Sequence, residues 1–175
     1  MSETTPPTDE HAEPVTSIAA PSPLRLAGFL ATALGALGLG AGAVLLWVTV
    51  PVPEGIGGNV EVAYKGLDIG GGKIAMFTAL VLLVGLMALR GARSRTAEKA
   101  IAIVMIVAAV AGTLAAFYVL IFANSRYGLP DQPSVTRGVG VFVSAAGGVV
   151  AILGALLDLA WAVAPIDGAD PADGA

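Results

Sequence analysis

The sequence predicts an all-α membrane protein: a four-transmembrane-helix bundle with a small extracytoplasmic β-hairpin between helices 1 and 2. Three observations carry that prediction. The chain has 175 residues, 56% of them hydrophobic and only 13% charged, about half the share of charge that a water-soluble domain carries. Its mean hydropathy is +0.84. The charges bunch in the tails and in short connecting segments, leaving four long uncharged runs, and each is read as a helix crossing a hydrocarbon core about 30 Å thick.

The stretch 1–23 is rich in Pro, Thr, Glu and Ala, too poor in large apolar side chains to order itself, and is expected to be a disordered cytoplasmic tail. Glu3, Asp9, Glu10 and Glu13 precede the first apolar run where a cleaved signal would place cations, so that run is expected to stay as an anchor. The transmembrane domain is placed at 24–165. Its first span, 26–50, covers roughly 37 Å at the helical rise. The second, 74–89, covers only about 24 Å and crosses if Lys73 and Arg90 snorkel from its ends. The third is 100–123 and the fourth 138–157. A second loose acidic tail, 166–175, carries Asp167, Asp170 and Asp173.

Orientation follows from Lys and Arg in the short loops. Arg90, Arg93, Arg95 and Lys99 crowd the connection between the second and third spans, which places that connection and both termini in the cytoplasm of a multi-pass plasma-membrane (inner-membrane) protein. The external loop 51–73 has strand character. Trp47, Thr49 and Pro51 alternate with Val48, Val50 and Val52, and Val60, Val62 and Tyr64 alternate with Glu61, Ala63 and Lys65, a period of two on either side of the glycine-rich Glu54 to Gly58. Because an isolated hairpin is marginal in water, it is expected to pack against the third loop, Asn124 to Arg137, which Pro130 and Pro133 should keep irregular, or against a partner.

Composition removes several functions. A net charge of −4 with its acid in the tails is the opposite of a nucleic-acid-binding stripe. The absence of cysteine removes disulfides, thiol catalysis and thiolate metal sites. His11 is the lone histidine, and one imidazole makes no metal site. No cofactor and no enzymatic activity are expected.

A few residues carry a specific reading beside a plainer one. Gly66 to Ile74 resembles a phosphate loop but fails its spacing, with Leu67 where a glycine and Ile74 where a hydroxyl is required. A flexible helix entry is the better account, with an anion on the amides of Gly71 and Gly72 beside Lys73 as the lesser one. Asp158 is the one acid inside an extended apolar run. It is read as a residue of the cytoplasmic boundary beside Trp161 in preference to a proton relay, since no other intramembrane acid or histidine is in view to continue a chain. Thr32, Thr78, Thr113 and Ser144 are the obvious candidates for polar groups facing a transport route, but such hydroxyls are expected to bond their own backbone. Gly38 and Gly42, and Gly140, Ser144 and Gly148, form small-residue rows that let helices approach, with the first and fourth helices as the suggested pair.

A first span closing on Trp47, a valine-rich external loop, a second span ending Arg90-Gly91-Ala92-Arg93, and third and fourth spans rich in Ala, Gly and Val together resemble the small four-helix membrane proteins of actinobacteria, including the tryptophan-operon-associated group. The resemblance covers residues 25 to 165 loosely and implies an inner-membrane protein of that type, with no catalytic residue to carry over. The glycine-rich Gly66 to Gly72 departs from it. The expected function is that of a non-enzymatic accessory or scaffold subunit of a larger membrane assembly, its partners the lipid bilayer and another membrane protein or a second copy. The alternatives are a small transport component, or a lipid- or ligand-binding sensor using the external loop.

Overall fold

The structure, a computed structural model, describes residues 22–54, 58–127 and 135–164; the expectations for the two tails and for Pro130 and Pro133 lie outside them. Four helices long and apolar enough to cross a membrane dominate the chain: α1 (Pro23–Val44), α2 (Gly70–Gly91), α3 (Arg95–Tyr127) and α4 (Val139–Val163). Between α1 and α2 lies the antiparallel hairpin of β1 (Leu46–Glu54) and β2 (Gly58–Lys65), followed by a 3-10 turn, Gly66–Asp68. A short β3 (Thr136–Arg137) precedes α4.

Each predicted span is displaced at its ends, for physical reasons. The first was placed at 26–50, but α1 stops at Val44. Its continuation Trp47-Val48-Thr49-Val50-Pro51 combines β-branched residues with a proline that cannot continue a helix, so 46–50 belongs to the strand. The second, placed at 74–89, begins four residues earlier, because Gly70, Gly71 and Gly72 enter the helix. Its 22 residues span about 33 Å, and crossing needs no snorkelling to make up length. The third grows from 100–123 to a 33-residue helix, about 50 Å long, capped by Ser94, whose Oγ accepts from the Ala97 amide at 3.2 Å. The fourth shifts from 138–157 to 139–163, so the helix continues past Asp158 for five residues.

The helices form a ring in which α1 contacts α2, α2 contacts α3, α3 contacts α4 and α4 closes on α1, the α1–α4 seam being the most extensive. Its core is made of small side chains, Ala36, Ala43, Ala75, Ala79, Ala109, Ala116, Ala151 and Ala155, with Leu39, Leu82 and Met105 among them, while Leu34, Phe77, Val84, Met87, Leu114 and Ile121 face outward. Small inside and large apolar outside suits helices whose backbones must approach closely while their outer faces meet hydrocarbon.

The seam is antiparallel and set by glycine. A Cβ at Gly38 would come within 2.8 Å of Gly147 Cα, one at Gly35 within 2.6 Å of Ala151 Cβ, and one at Gly42 within 2.6 Å of the Ser144 amide nitrogen and 2.7 Å of the Gly140 carbonyl. Gly140 and Ser144 thus meet Gly42, while Gly147 meets Gly38. Gly148 turns to α3 and packs on Thr113, so the predicted row of Gly140, Ser144 and Gly148 splits between two neighbours.

At the end of the ring carrying the hairpin, the sheet has the order β2-β1-β3. Thr49 pairs with Ala63 and Val50 with Val62, and on the other edge Val48 pairs with Arg137 and Thr49 with Thr136. The hairpin therefore does rest on the third loop, through β3. Pro51 and Pro53 lie beyond the two β1 residues that pair with β3, and among the described residues no ladder bond on that edge of β1 falls at either proline. The register shifts between Leu46 and Val48, leaving Trp47 as a bulge residue. Its indole, fully buried, donates to the Gly42 carbonyl at 2.7 Å.

Candidate functional site

The opposite end of the ring gathers the start of α1, the end of α2, the start of α3 and the end of α4, and here the polar side chains converge. Asp158 on α4 is only 6% exposed and accepts a 3.3 Å hydrogen bond from Thr32 Oγ1 on α1. Gly28, one turn before Thr32, gives it room, for a Cβ there would sit 2.5 Å from Asp158 Oδ1. Glu98 on α3 is 7% exposed. Its Oε1 lies 3.6 Å from Arg25 Nη2, and its Oε2 is buried with no hydrogen-bond partner among the described residues.

Aromatic rings hold the arginines in place. The guanidinium carbons of Arg25 and Arg95 lie 4.4 and 4.2 Å from the Trp161 ring centroid, and Arg95 Nη1 also donates to the Trp161 carbonyl at 2.8 Å. Arg90 sits 4.4 Å from the Phe29 ring. Each such contact contributes about 0.5–2 kcal/mol, more as it is desolvated. Arg25, Phe29, Leu89, Arg90, Glu98, Asp158 and Trp161 enclose a cavity of about 30 Å³, room for a single water able to satisfy Glu98 Oε2.

Chemically, this is a clamp joining all four helices, with two carboxylates turned inward and arginines around them. Among the described residues no group of three or more His, Asp or Glu side chains is placed to hold a metal ion, and the surrounding guanidiniums would repel a cation. The sequence singled out Asp158 as the one acid inside an extended apolar run; the structure sets Glu98 in the same cavity. Glu98 escaped notice because the third span was started at Ala100. Its spacing to Ala102, Met105 and Ala109 continues the buried stripe of α3 back by one turn, and that was the available signal.

The other singled-out residues lie elsewhere. Gly71, Gly72 and Lys73 start α2 at the hairpin end. The Lys73 amide donates to the Ile69 carbonyl at 3.3 Å, Gly72 packs on the backbone of Gly66, and a Cβ at Gly71 would come within 3.1 Å of the Trp47 ring. These glycines allow close approach of the 3-10 turn, the indole and the helix entry. Of the four interior hydroxyls only Thr113 bonds its own helix, to Ala109 at 2.7 Å. Thr78 reaches the Ala108 carbonyl of α3 at 3.3 Å and Ser144 the Leu39 carbonyl of α1 at 3.4 Å, so with Thr32 on Asp158 three of them tie neighbouring helices together.

A third feature is apolar. Between α2 and α3 runs a groove of about 480 Å³ lined by residues such as Phe77, Leu80, Val84, Ala88, Ala100 and Val104, with almost no polar surface. Gly85 forms part of its floor against Met105. Comparison with known proteins adds no identity to this picture: no family model matches the chain, and no curated protein matches it.

Proposed function

We propose that the chain is a four-pass plasma-membrane protein acting as a non-enzymatic accessory or scaffold subunit, which receives an apolar helix of a partner membrane protein in the α2–α3 groove. The groove carries the proposal. It is apolar along its length and has small residues, Gly85, Ala88 and Ala100, between larger ridges, which suits a helix backbone approaching at close range. Transport is the weaker reading, because it needs polar groups facing a route at mid-membrane. The interior hydroxyls are instead engaged with backbone or with Asp158, and the α1–α4 seam is closed by backbone contact.

The chain has no native cysteine, so a single introduced thiol reports one position. Ala88→Cys in the groove should cross-link in native membranes to a discrete partner that also co-purifies with the tagged chain in mild detergent. Gly70→Cys, at a position with open space around it, should not. Recovery of the chain alone, with equal cross-linking from both positions, would sink the proposal. Orientation is tested separately. A membrane-impermeant thiol reagent applied to intact cells should label Asn59→Cys and spare Ser94→Cys, and the reverse pattern would invert the topology.

A further inference from the structure

The cationic end opens to the outside through a cleft between α1 and α2. Arg25, Leu26, Phe29 and Arg90 line a cavity of about 350 Å³ there. A second cavity, of about 150 Å³, continues from it along Phe29, Ala33, Leu83, Leu86 and Met87 and also touches Arg90. Phe29 and Arg90 line both, so the two adjoin on the surface, the first flanked by two arginines and the second almost wholly by apolar side chains. Among the described residues Arg90 has no carboxylate within ion-pair distance, and Arg25 keeps 41% of its side chain exposed while paired with Glu98.

We infer that this cleft binds one anionic phospholipid, its phosphate between Arg25 and Arg90 and an acyl chain along Phe29, Ala33, Leu83 and Met87. Charge and shape both select that occupant. A free anion would leave the apolar half unused, and a zwitterionic lipid would bring a cation against two guanidiniums. Arg90 is fixed over Phe29 and Arg25 over Trp161, so little side-chain freedom remains to be lost on binding. The position is also the right one, since in the topology proposed above this end faces the leaflet that carries anionic lipid. The inference rests on the membrane-spanning part of that proposal and not on the α2–α3 groove.

The test is native mass spectrometry of the intact chain in mild detergent, titrated with phosphatidylglycerol, with phosphatidylcholine of the same acyl chains, and with inorganic phosphate. Phosphatidylglycerol should be retained about tenfold better than phosphatidylcholine, and Arg90→Gln should cut that preference by about fivefold, the effect of one basic residue near a lipid surface. Arg93→Gln, three residues on in the connection to α3 and outside the cleft, should leave it unchanged. Arg90→Lys should keep most of it, which separates lost charge from lost fold, and helix content by circular dichroism accompanies each variant. Ala33→Trp, filling the apolar half, should weaken both lipids alike. Equal retention of the two lipids, equal losses from Arg90→Gln and Arg93→Gln, or displacement of lipid by millimolar phosphate would each overturn the inference.

Discussion

Gly42→Ala lowers the stability of the folded chain by more than about 2 kcal/mol, whereas Gly40→Ala, one methyl group added two residues away on the same helix, raises it by up to about 1 kcal/mol. The contrast follows from what each methyl would meet. At position 42 it would lie 2.6 Å from the Ser144 amide nitrogen and 2.7 Å from the Gly140 carbonyl oxygen, both on backbone that cannot swing aside. At position 40 it would lie 3.5 Å from Ala79 Cβ, an ordinary van der Waals contact, and alanine is the better helix former. Helix separation at position 42 would also weaken the contacts at Gly38 and Gly35, which share the seam. Unfolding in a mixed-detergent titration followed by tryptophan fluorescence measures both variants. Equal shifts for the two would show that the α1–α4 seam is not closed by Gly42.

Trp47→Ala should cost about 3–5 kcal/mol, the range for removing a large aromatic ring from a packed site. The indole is fully buried and touches four separate elements: Gly42 of α1, through its N–H; Gly66 of the 3-10 turn; Gly71 of α2; and Gly140 of α4. Its loss empties the joint between sheet and helices. Hydrogen exchange should therefore accelerate throughout β1 and β2, while amides near Ala109 and Ala151 stay protected. Trp47→Phe keeps most of the ring and gives up one hydrogen bond, a loss of about 1 kcal/mol for the bond itself. A uniform rise in exchange over all four helices would contradict the view that the indole mainly fastens the sheet.

The existence of the four helices was legible because uncharged runs of this length have few other uses. Their ends were not, because helix termini are set by local backbone chemistry that hydropathy does not see. Val48, Thr49 and Val50 are as apolar on average as a span requires, yet their branching and the following proline commit them to a strand. Gly70 to Gly72 looked like a loop because glycine is a poor helix former, and the close packing of Gly72 on Gly66 and of Gly71 on Trp47 outweighed that preference. The hairpin was legible from its period of two, whereas β3, with only two residues, is too short to leave any period. In the polar clamp, Asp158 was conspicuous as an acid within an apolar run. Glu98 was not, because an acid beside Arg95 and Lys99 reads as part of a solvated turn until the helix is known to begin at Arg95.

The closure of α1 on α4 has a consequence for how the protein is made. Chains are synthesised from the N-terminus and their early elements tend to order first, but the first helix here finds its closest neighbour only when the last one has been released. Until then its glycine face has no counterpart, and the nascent chain has to be held with that face against lipid or the insertion machinery. Contacts between distant parts of a chain form slowly because the intervening loop must close first. A truncation that removes α4 should therefore leave a product whose first helix keeps its contact with α2 but has its glycine face unpaired, a substrate for membrane proteolysis.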